Sequence, residues 1–249
     1  MRQAVIGGRT VGGEPCMIVT AMDDSVDGML EQARRGIALG ADLVELRVDR
    51  LPDDDAVRSL VHGLAHPHIV ACRTPRFGGS FSGSEEDRIR RLEAAVGAGA
   101  TAVDIEFFTE PDLRGRLLST AREHGVPVLV GYENMDETPS RSDLLTGLKG
   151  VQALAPDLIK LAVRAHSHDD LLTVLNVALT AGSVLDVPYA VIALGGPGAA
   201  SRPLACILGA AFTYCAMEQG AIPGQLTVKE TRDIIASLAE QRWTCSSKT

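Results

Sequence analysis

The sequence predicts a (β/α)8 barrel that occupies residues 1–249 as one domain, and three observations support this fold class. The chain has 249 residues, which is close to the usual length of such a barrel. Hydrophobic residues make up 45% of it and aromatic residues only 4%, so a large and mainly aliphatic core can form. Short apolar runs alternate with amphipathic segments, a pattern typical of parallel strands covered by helices. The number of repeated units within this length favours a closed barrel over an open sheet.

The apolar runs are the predicted strands. They lie at residues 17–21, 43–48, 68–72, 102–107, 126–132, 158–163, 189–194 and, more weakly, 212–216. The segments between them predict helices, among them residues 25–39, 84–98, 112–124, 140–154, 169–181 and 227–241. Capping residues agree with these boundaries, because Asp24 or Ser25 precedes the first helix, Ser84 precedes another, and Gly125 follows a third.

The first residues predict a separate element, a small β-hairpin. The segments Ala4-Val5-Ile6 and Thr10-Val11 flank Gly7-Gly8-Arg9, where the glycines permit a tight turn. We expect this hairpin to close the N-terminal end of the barrel.

Composition argues against several classes of partner. The formal net charge is −8, which disfavours nucleic acid and anionic membrane surfaces. No apolar run reaches about 18 residues, and no basic segment followed by an apolar run marks a signal peptide. The five cysteines form no C-x-x-C pair, so neither a disulfide framework nor a zinc site is indicated. We therefore expect a cytoplasmic protein that acts on a small molecule and binds neither nucleic acid nor membrane.

Charged residues gather toward the ends of the predicted strands, where barrels carry their catalytic groups. They are Glu45, Arg47, Asp49, Arg73, Asp104 and Glu106. The first three alternate with apolar residues, so they face one side of their strand. If that side is the barrel interior, their burial is costly unless the charges pair or bind a ligand.

Lys160 is the most unusual residue of the pattern, because it interrupts the apolar strand at residues 158–163. Desolvation and neighbouring cations are expected to lower its pKa, which would make the neutral amine available as a nucleophile toward a carbonyl. The alternative is a purely structural lysine that pairs with Asp104 or Glu106.

A glycine-rich loop, Gly195-Gly196-Pro197-Gly198, follows the seventh predicted strand and leads to Arg202. Backbone N–H groups in such a loop can bind phosphate or carboxylate, and an arginine can grip a carboxylate with two hydrogen bonds. The alternative is a mobile turn that enters a helix.

Taken in order, these residues resemble the type I 3-dehydroquinate dehydratases, and the resemblance extends over nearly the whole chain. The matching segments are Glu45-Leu46-Arg47-Val48-Asp49, Arg73, Asp104-Ile105-Glu106, Thr138-Pro139-Ser140, Lys160-Leu161-Ala162-Val163, Ser201-Arg202 and Pro223-Gly224-Gln225.

The resemblance implies that an anionic keto acid, 3-dehydroquinate, is converted to 3-dehydroshikimate and water. Lys160 would attack the ketone to form an iminium, and a general base would remove a proton next to it. The residues implied to hold the carboxylate and hydroxyl groups are Glu45, Arg47, Arg73, Arg202 and Gln225. The resemblance also implies a homodimer that needs no metal and no organic cofactor.

Three positions depart from the family pattern. Glu133 stands where the family has its proton-shuttle histidine, and Phe77 stands where that histidine has its glutamate partner. Ala221 replaces a serine or threonine before the P-G-Q motif. A lone glutamate can act as both base and acid only if its pKa is raised, which Phe77 could favour by desolvating it.

We therefore take Glu133 as the candidate proton shuttle, with His166 or His168 as alternatives. The H-x-H spacing of the two histidines is also compatible with a metal site, or with solvated loop residues that precede a helix. The departures leave two other functions open. One is a diverged Schiff-base lyase, aldolase or isomerase for a related polyhydroxy keto acid, and the other is a non-catalytic binding homologue.

Overall fold

The structure, a computed structural model, describes residues 2–219 and 224–240, and these residues form the predicted barrel. Their strands are β1 (Ala4–Ile6), β2 (Arg9–Val11), β3 (Cys16–Ala21), β4 (Leu43–Arg47), β5 (His68–Ala71), β6 (Val103–Glu106), β7 (Val128–Asn134), β8 (Leu158–Arg164), β9 (Tyr189–Leu194) and β10 (Phe212–Cys215). Their helices are α1 (Val26–Ala38), α2 (Asp54–Gly63), α3 (Glu85–Gly97), α4 (Pro111–Glu123), α5 (Arg141–Gln152), α6 (His168–Val184), α7 (Ser201–Ile207) and α8 (Val228–Glu240).

Eight parallel strands make the barrel wall. Their order is β10-β3-β4-β5-β6-β7-β8-β9, so strands that follow each other in sequence are neighbours in space. The two ends of the sheet meet, because the backbone N–H of Ala211, just before β10, donates to the carbonyl of Tyr189 in β9 at 2.8 Å. The (β/α)8 prediction is therefore confirmed.

The predicted hairpin is also confirmed, since β1 and β2 pair antiparallel from Ala4–Val11 to Ile6–Arg9. Ile6 and Val11 belong to a buried cluster with Ile18, Leu43 and Ile69, which lie on the first strands of the barrel. The hairpin thus packs against the barrel interior. Apolar burial of this kind contributes about 25 cal/mol per Å² removed from water.

Helix capping follows the sequence closely. The Ser25 side chain accepts a hydrogen bond from the N–H of Gly28 at the start of α1. Ser84 and Asp87 form a reciprocal capping box at the start of α3. Gly125 has a φ of 66° directly after α4, a left-handed conformation that glycine adopts without strain. Within the described residues, no helix is both long and apolar enough to span a membrane.

One strand begins and ends two residues later than predicted. The apolar run ends at residue 132, but β7 continues to Asn134, so that Glu133 lies on the strand rather than in the loop after it. Gly131 of β7 pairs with Lys160 of β8, and Glu133 pairs with Ala162. This register places Glu133 and Lys160 on the same face of adjacent strands, two residues apart along the sheet.

Candidate active site

The seven candidate residues line one cavity of about 300 Å³ at the C-terminal end of the barrel. They are Glu45, Arg47, Arg73, Glu133, Lys160, Arg202 and Gln225. Apolar side chains, among them Met22, Phe77, Met135, Ile192 and Leu194, form the rest of the wall together with Thr20, Gly78, Ala162 and Tyr214. This position is where barrel enzymes carry their active sites. A larger and more open groove of about 790 Å³ near Asp49 and Arg90 contains none of the seven.

Lys160 lies at the centre of a cluster of carboxylates. Its Nζ is 2.7 Å from Asp104 Oδ2, 2.9 Å from Glu133 Oε1 and 4.0 Å from Glu45 Oε2. Burial and the charge of Arg73 lower its pKa, but the three carboxylates outweigh them and the net direction is upward. The prediction of a lowered pKa was therefore wrong, and the resting lysine is an ammonium ion.

Lys160 is paired with one of the two carboxylates considered for a structural role. Asp104 contacts the lysine, but Glu106 does not, because its carboxylate accepts from Arg88 at 2.7 Å. Arg88 is fully buried and also donates to the carbonyl of Cys72 and the hydroxyl of Thr109. Glu106 therefore links helix α3 to strand β6 of the barrel wall. The ion pair between Lys160 and Asp104, in contrast, lies beside an open cavity.

Glu133 is buried between Arg73 and Lys160, and it forms an ion pair with each. Burial alone would raise its pKa, but the two cations outweigh burial and lower the pKa to about 2. Phe77 shares the cavity with Glu133 but does not reverse this direction. The raised pKa expected for a lone shuttle was therefore wrong, and in the resting protein Glu133 is a carboxylate.

Gly131 makes this contact between strands possible. A Cβ at this position would lie 3.1 Å from Glu133 Oε1 and 3.3 Å from Lys160 Cε, closer than nearly all contacts of real Cβ atoms. The missing side chain leaves the space in which the carboxylate and the lysine meet.

The guanidinium of Arg73 is paired with carboxylates of the protein, so it is not open to a ligand. Its guanidinium donates to Asp104 and Glu133, and it lies 3.7 Å from Glu106. Burial lowers its pKa, but these neighbouring carboxylates raise it well above the usual value. The backbone N–H of Arg73 donates to Asp49 Oδ1 at 3.3 Å, which fixes the end of β5.

Arg47 is also partly engaged by protein groups. Its Nε and one terminal nitrogen donate to the two oxygens of Asp49, at 2.9 and 2.8 Å. The same nitrogen donates to the carbonyl of Gly78 at 3.2 Å. This pairing orients the guanidinium toward the cavity at the end of β4.

Arg202 differs from the other cations because carbonyl groups hold it. Its Nε donates to the carbonyl of Gly224 at 2.8 Å, and a terminal nitrogen donates to that of Tyr214 at 3.3 Å. Within the described residues it forms no ion pair, although it is only 2% exposed. Burial lowers its pKa to about 10, which still leaves it charged at neutral pH. A buried guanidinium of this kind favours an anionic ligand.

The loop that carries Arg202 depends on close backbone contacts. Gly224 has a φ of 81°, and a Cβ there would lie 2.2 Å from the carbonyl oxygen of Gly195. The glycine-rich segment is a short 3-10 turn that leads into α7. Its contact with Gly224 brings Arg202 and Gln225 to the same cavity. Pro223 and Ala221 lie outside the described residues.

The two histidine alternatives are not part of the cavity wall. His166 is exposed, and its ring nitrogen lies 2.6 Å from the carbonyl oxygen of Asp136, while His168 starts α6. In the part of the chain that the structure describes, no group of three or more His, Cys, Asp or Glu side chains is placed to hold a metal ion.

Sequence reasoning missed two polar residues of the cavity wall, Thr20 of β3 and Tyr214 of β10, and the stronger contacts are those of Tyr214. Its hydroxyl donates to Glu45 Oε2 at 2.8 Å, and its ring centroid lies 5.2 Å from Lys160 Nζ. The signal was present, because Tyr214 follows the buried Phe212 by two residues and so faces the barrel interior. Tyr214 was not recognised because residues 212–216 are only weakly apolar and were the weakest of the predicted strands.

Comparisons with known proteins agree with this geometry. The family model described as type I 3-dehydroquinase matches residues 16–242. A 3-dehydroquinate dehydratase of Listeria welshimeri is 30% identical over 251 residues, which cover 97% of this chain and 100% of that protein. One of Methanothermobacter thermautotrophicus is 33% identical over 222 residues, which cover 88% of this chain and 96% of that protein.

A solved structure gives the same result for the fold. The crystal structure of 3-dehydroquinate dehydratase from Geobacillus kaustophilus superposes with a TM-score of 0.91 and 25% sequence identity, over 97% of this chain and 98% of that one. The family match, the relatives and the shared barrel agree, and the chain belongs to the type I 3-dehydroquinase family.

Proposed function

We propose that this protein dehydrates 3-dehydroquinate to 3-dehydroshikimate through a Schiff base on Lys160. The observation that carries the proposal is the position of Lys160. Its amino group lies among carboxylates at the floor of a cavity whose wall also holds the buried guanidinium of Arg202. A keto acid offers a carbonyl carbon to the lysine and a carboxylate to the arginine. The relatives that share this chain's family are 3-dehydroquinate dehydratases.

In this proposal Arg202 and Gln225 bind the substrate carboxylate, and Glu45 and Arg47 bind its hydroxyl groups. Arg202 is suited to the carboxylate because carbonyl groups fix its guanidinium without neutralising it. Arg73 contributes by holding the side chain of Glu133, with which it forms a buried ion pair.

The first chemical step joins the lysine and the ketone. The ammonium of Lys160 must give up a proton to become a nucleophile, and Asp104 and Glu133 are in contact to accept it. The amine then adds to the carbonyl carbon, and the carbinolamine loses its oxygen as water. One hydrogen remains on nitrogen, two leave with the oxygen, and the positive charge is retained on the iminium.

Glu133 is the group we assign to the second step. Its Oε1 lies 2.9 Å from Lys160 Nζ, so it reaches the carbon next to the iminium carbon. When it removes a proton there, the C–H electron pair enters the enamine and the positive charge on nitrogen disappears. Glu133 then faces one cation, Arg73, instead of two, so its pKa rises just when it carries the proton. It can therefore donate that proton to the departing hydroxyl group, which leaves as water while the enamine electron pair re-forms the iminium. A water molecule then hydrolyses this iminium, which releases 3-dehydroshikimate and the free amine of Lys160.

The deciding experiment measures the intact mass of the protein after borohydride reduction in the presence of 3-dehydroquinate. Schiff-base formation itself releases one water, so a reduced adduct that is lighter by a further water shows that Lys160 chemistry proceeds through dehydration. An adduct that retains this water indicates that the departures at Glu133 and Phe77 have changed the reaction. Lys160→Met is the control that must remain unmodified, and a wild-type protein without adduct would refute the proposal.

We further propose a cytoplasmic homodimer that acts on a small anionic keto acid and does not bind nucleic acid. The net charge of −8 and the four buried free cysteines of the described chain support this assignment. Leu172 and Leu179 lie seven residues apart on α6 and are 63% and 66% exposed, an apolar stripe that a second copy would cover. Sedimentation of the wild type and of Leu179→Ser tests the dimer, which a monomeric wild type would exclude.

A further inference from the structure

Tyr214 contacts two residues of the proposed reaction, Lys160 and Glu45, but the proposed mechanism gives it no role. It lies on β10, is 6% exposed and lines the cavity beside Lys160 and Glu45. Its hydroxyl donates to Glu45 Oε2 at 2.8 Å, and its ring lies 5.2 Å from Lys160 Nζ. The side chain of Tyr214 thus contacts both Lys160 and Glu45, the third carboxylate near the lysine.

The ionisation states of this pair make the hydrogen bond strong. Burial raises the pKa of Tyr214 well above its usual value, and the charges of Glu45 and Asp104 add to the effect. Burial also favours neutral Glu45, but Lys160, Arg73 and Arg47 outweigh it and lower the pKa of Glu45. The phenol therefore keeps its proton and donates it to a carboxylate, a charge-assisted bond.

This bond determines where Glu45 lies. Asp104 and Glu133 are in contact with Lys160 at 2.7 and 2.9 Å, whereas Glu45 is at 4.0 Å. Its other hydrogen-bond partner is the Thr20 hydroxyl at a weak 3.4 Å. Without the tyrosine hydroxyl, the attraction of the ammonium would draw the carboxylate of Glu45 into contact with Lys160, because among the described residues its remaining hydrogen-bond donor is Thr20 at 3.4 Å.

We propose that Tyr214 is a positioning residue for Schiff-base formation, because its hydroxyl holds Glu45 out of contact with Lys160 and available to a substrate hydroxyl. A third carboxylate on the ammonium would hold its proton more tightly and reduce the fraction of reactive amine. The same movement would remove Glu45 from the cavity wall. The inference rests on the role of Lys160 in the proposed function.

The test reads the reactivity of Lys160 without any substrate. Trace labelling with acetic anhydride at pH 6 to 11, followed by peptide mass spectrometry, gives the labelling rate of Lys160 relative to an exposed lysine, Lys149. In Tyr214→Phe the ring remains and only the hydroxyl is lost. We expect the labelling rate at pH 8 to fall on the order of tenfold, the effect of losing a hydrogen bond to a charged group. The labelling profile should move to higher pH by about one unit.

Tyr189→Phe is the matched control. Tyr189 is also a buried tyrosine on a barrel strand, but its hydroxyl lies against the backbone of Gly182 and not in the cavity. This variant should label like the wild type. An unchanged or faster labelling of Lys160 in Tyr214→Phe would overturn the inference, as would an equal shift in Tyr189→Phe.

A second measurement separates this inference from the proposed function. With 3-dehydroquinate, Tyr214→Phe should raise KM and slow adduct formation at pH 7, and its adduct formation should approach that of the wild type at high pH. If wild-type protein formed no adduct while the labelling shift remained, the substrate assignment would fail and the role of Tyr214 would stand. If the wild type formed the adduct but the labelling shift were absent, the role of Tyr214 would fail and the substrate assignment would stand.

Discussion

Replacing Glu133 with glutamine tests how much the ion pairs of this buried carboxylate stabilise the folded protein. Its pKa falls from 4.5 to about 2, in spite of burial, because it is paired with Arg73 and Lys160. At 1.36 kcal/mol per pKa unit, this difference corresponds to roughly 3 kcal/mol of stability at neutral pH. Glutamine keeps the shape of the side chain but removes its charge, so both buried cations lose part of their compensation.

The sign of the pH dependence follows from the lowered pKa. A carboxylate whose folded pKa lies below its unfolded value adds stability that is complete above the unfolded pKa of about 4.5. That contribution declines as the pH falls toward the folded value of about 2. We therefore expect Glu133→Gln to be less stable than the wild type by roughly 3 kcal/mol at pH 7, and by about half as much at pH 3.

Urea unfolding at pH 7, 5 and 3 measures this difference, with unfolding followed by circular dichroism. Glu137→Gln is the control, because Glu137 is four residues away and exposed. It should match the wild type at every pH. A Glu133→Gln protein as stable as the wild type at pH 7, or one whose deficit does not shrink in acid, would refute the charge arrangement described for this site.

Three further predictions concern activity. Glu133→Gln should still form a borohydride-trapped adduct with 3-dehydroquinate, but it should lose turnover by at least about 100-fold, as for loss of a general base; unchanged turnover would remove Glu133 from the mechanism. Arg202→Met should raise KM at least tenfold with a smaller change in kcat, and steady-state kinetics would show an unaltered KM if the carboxylate binds elsewhere. Wild-type kcat/KM, which reports the ionisation of the free enzyme, should show no acid limb from Glu133 between pH 5 and 8, because the pKa of Glu133 is about 2, and a limb near pH 6.5 would indicate a histidine.

The barrel could be predicted from the sequence because its signals are local. Each strand is a short apolar run and each helix has its own cap, as at Ser25 and Ser84, so no distant contact is needed to recognise them. Strand order follows from the alternation of strands and helices. The end of β7 was missed because Glu133 and Asn134 are polar, although their backbone continues the ladder with β8.

The membership of the cavity could also be predicted, but its electrostatics could not. Alternation within strands and the resemblance together placed Lys160, Arg73 and Glu133 in one cavity. The directions of the pKa changes were wrong for two reasons. For Lys160, burial and neighbouring cations were weighed without the three carboxylates, and for Glu133, burial was weighed without the two cations. Lys160 has three carboxylates within 4.0 Å, contributed by strands β4, β6 and β7, and such convergence is visible only in three dimensions.

Two of the three departures from the family pattern, at Glu133 and Phe77, are consistent with one another in charge. In the family pattern that this sequence resembles, a histidine stands at position 133 and a glutamate at position 77. This chain has a carboxylate at Glu133 and an apolar ring at Phe77, so the cavity keeps one negative charge at these two positions. The negative charge now lies next to Lys160, because the carboxylate of Glu133 contacts Lys160 directly and is also paired with Arg73. In the proposed reaction, the positive charge on the nitrogen of Lys160 disappears when Glu133 removes the substrate proton. The pKa of Glu133 therefore rises as it takes the proton, and no second carboxylate is needed to raise it. Under the proposed mechanism, one change in how the shuttle is tuned therefore accounts for the replacement of both residues.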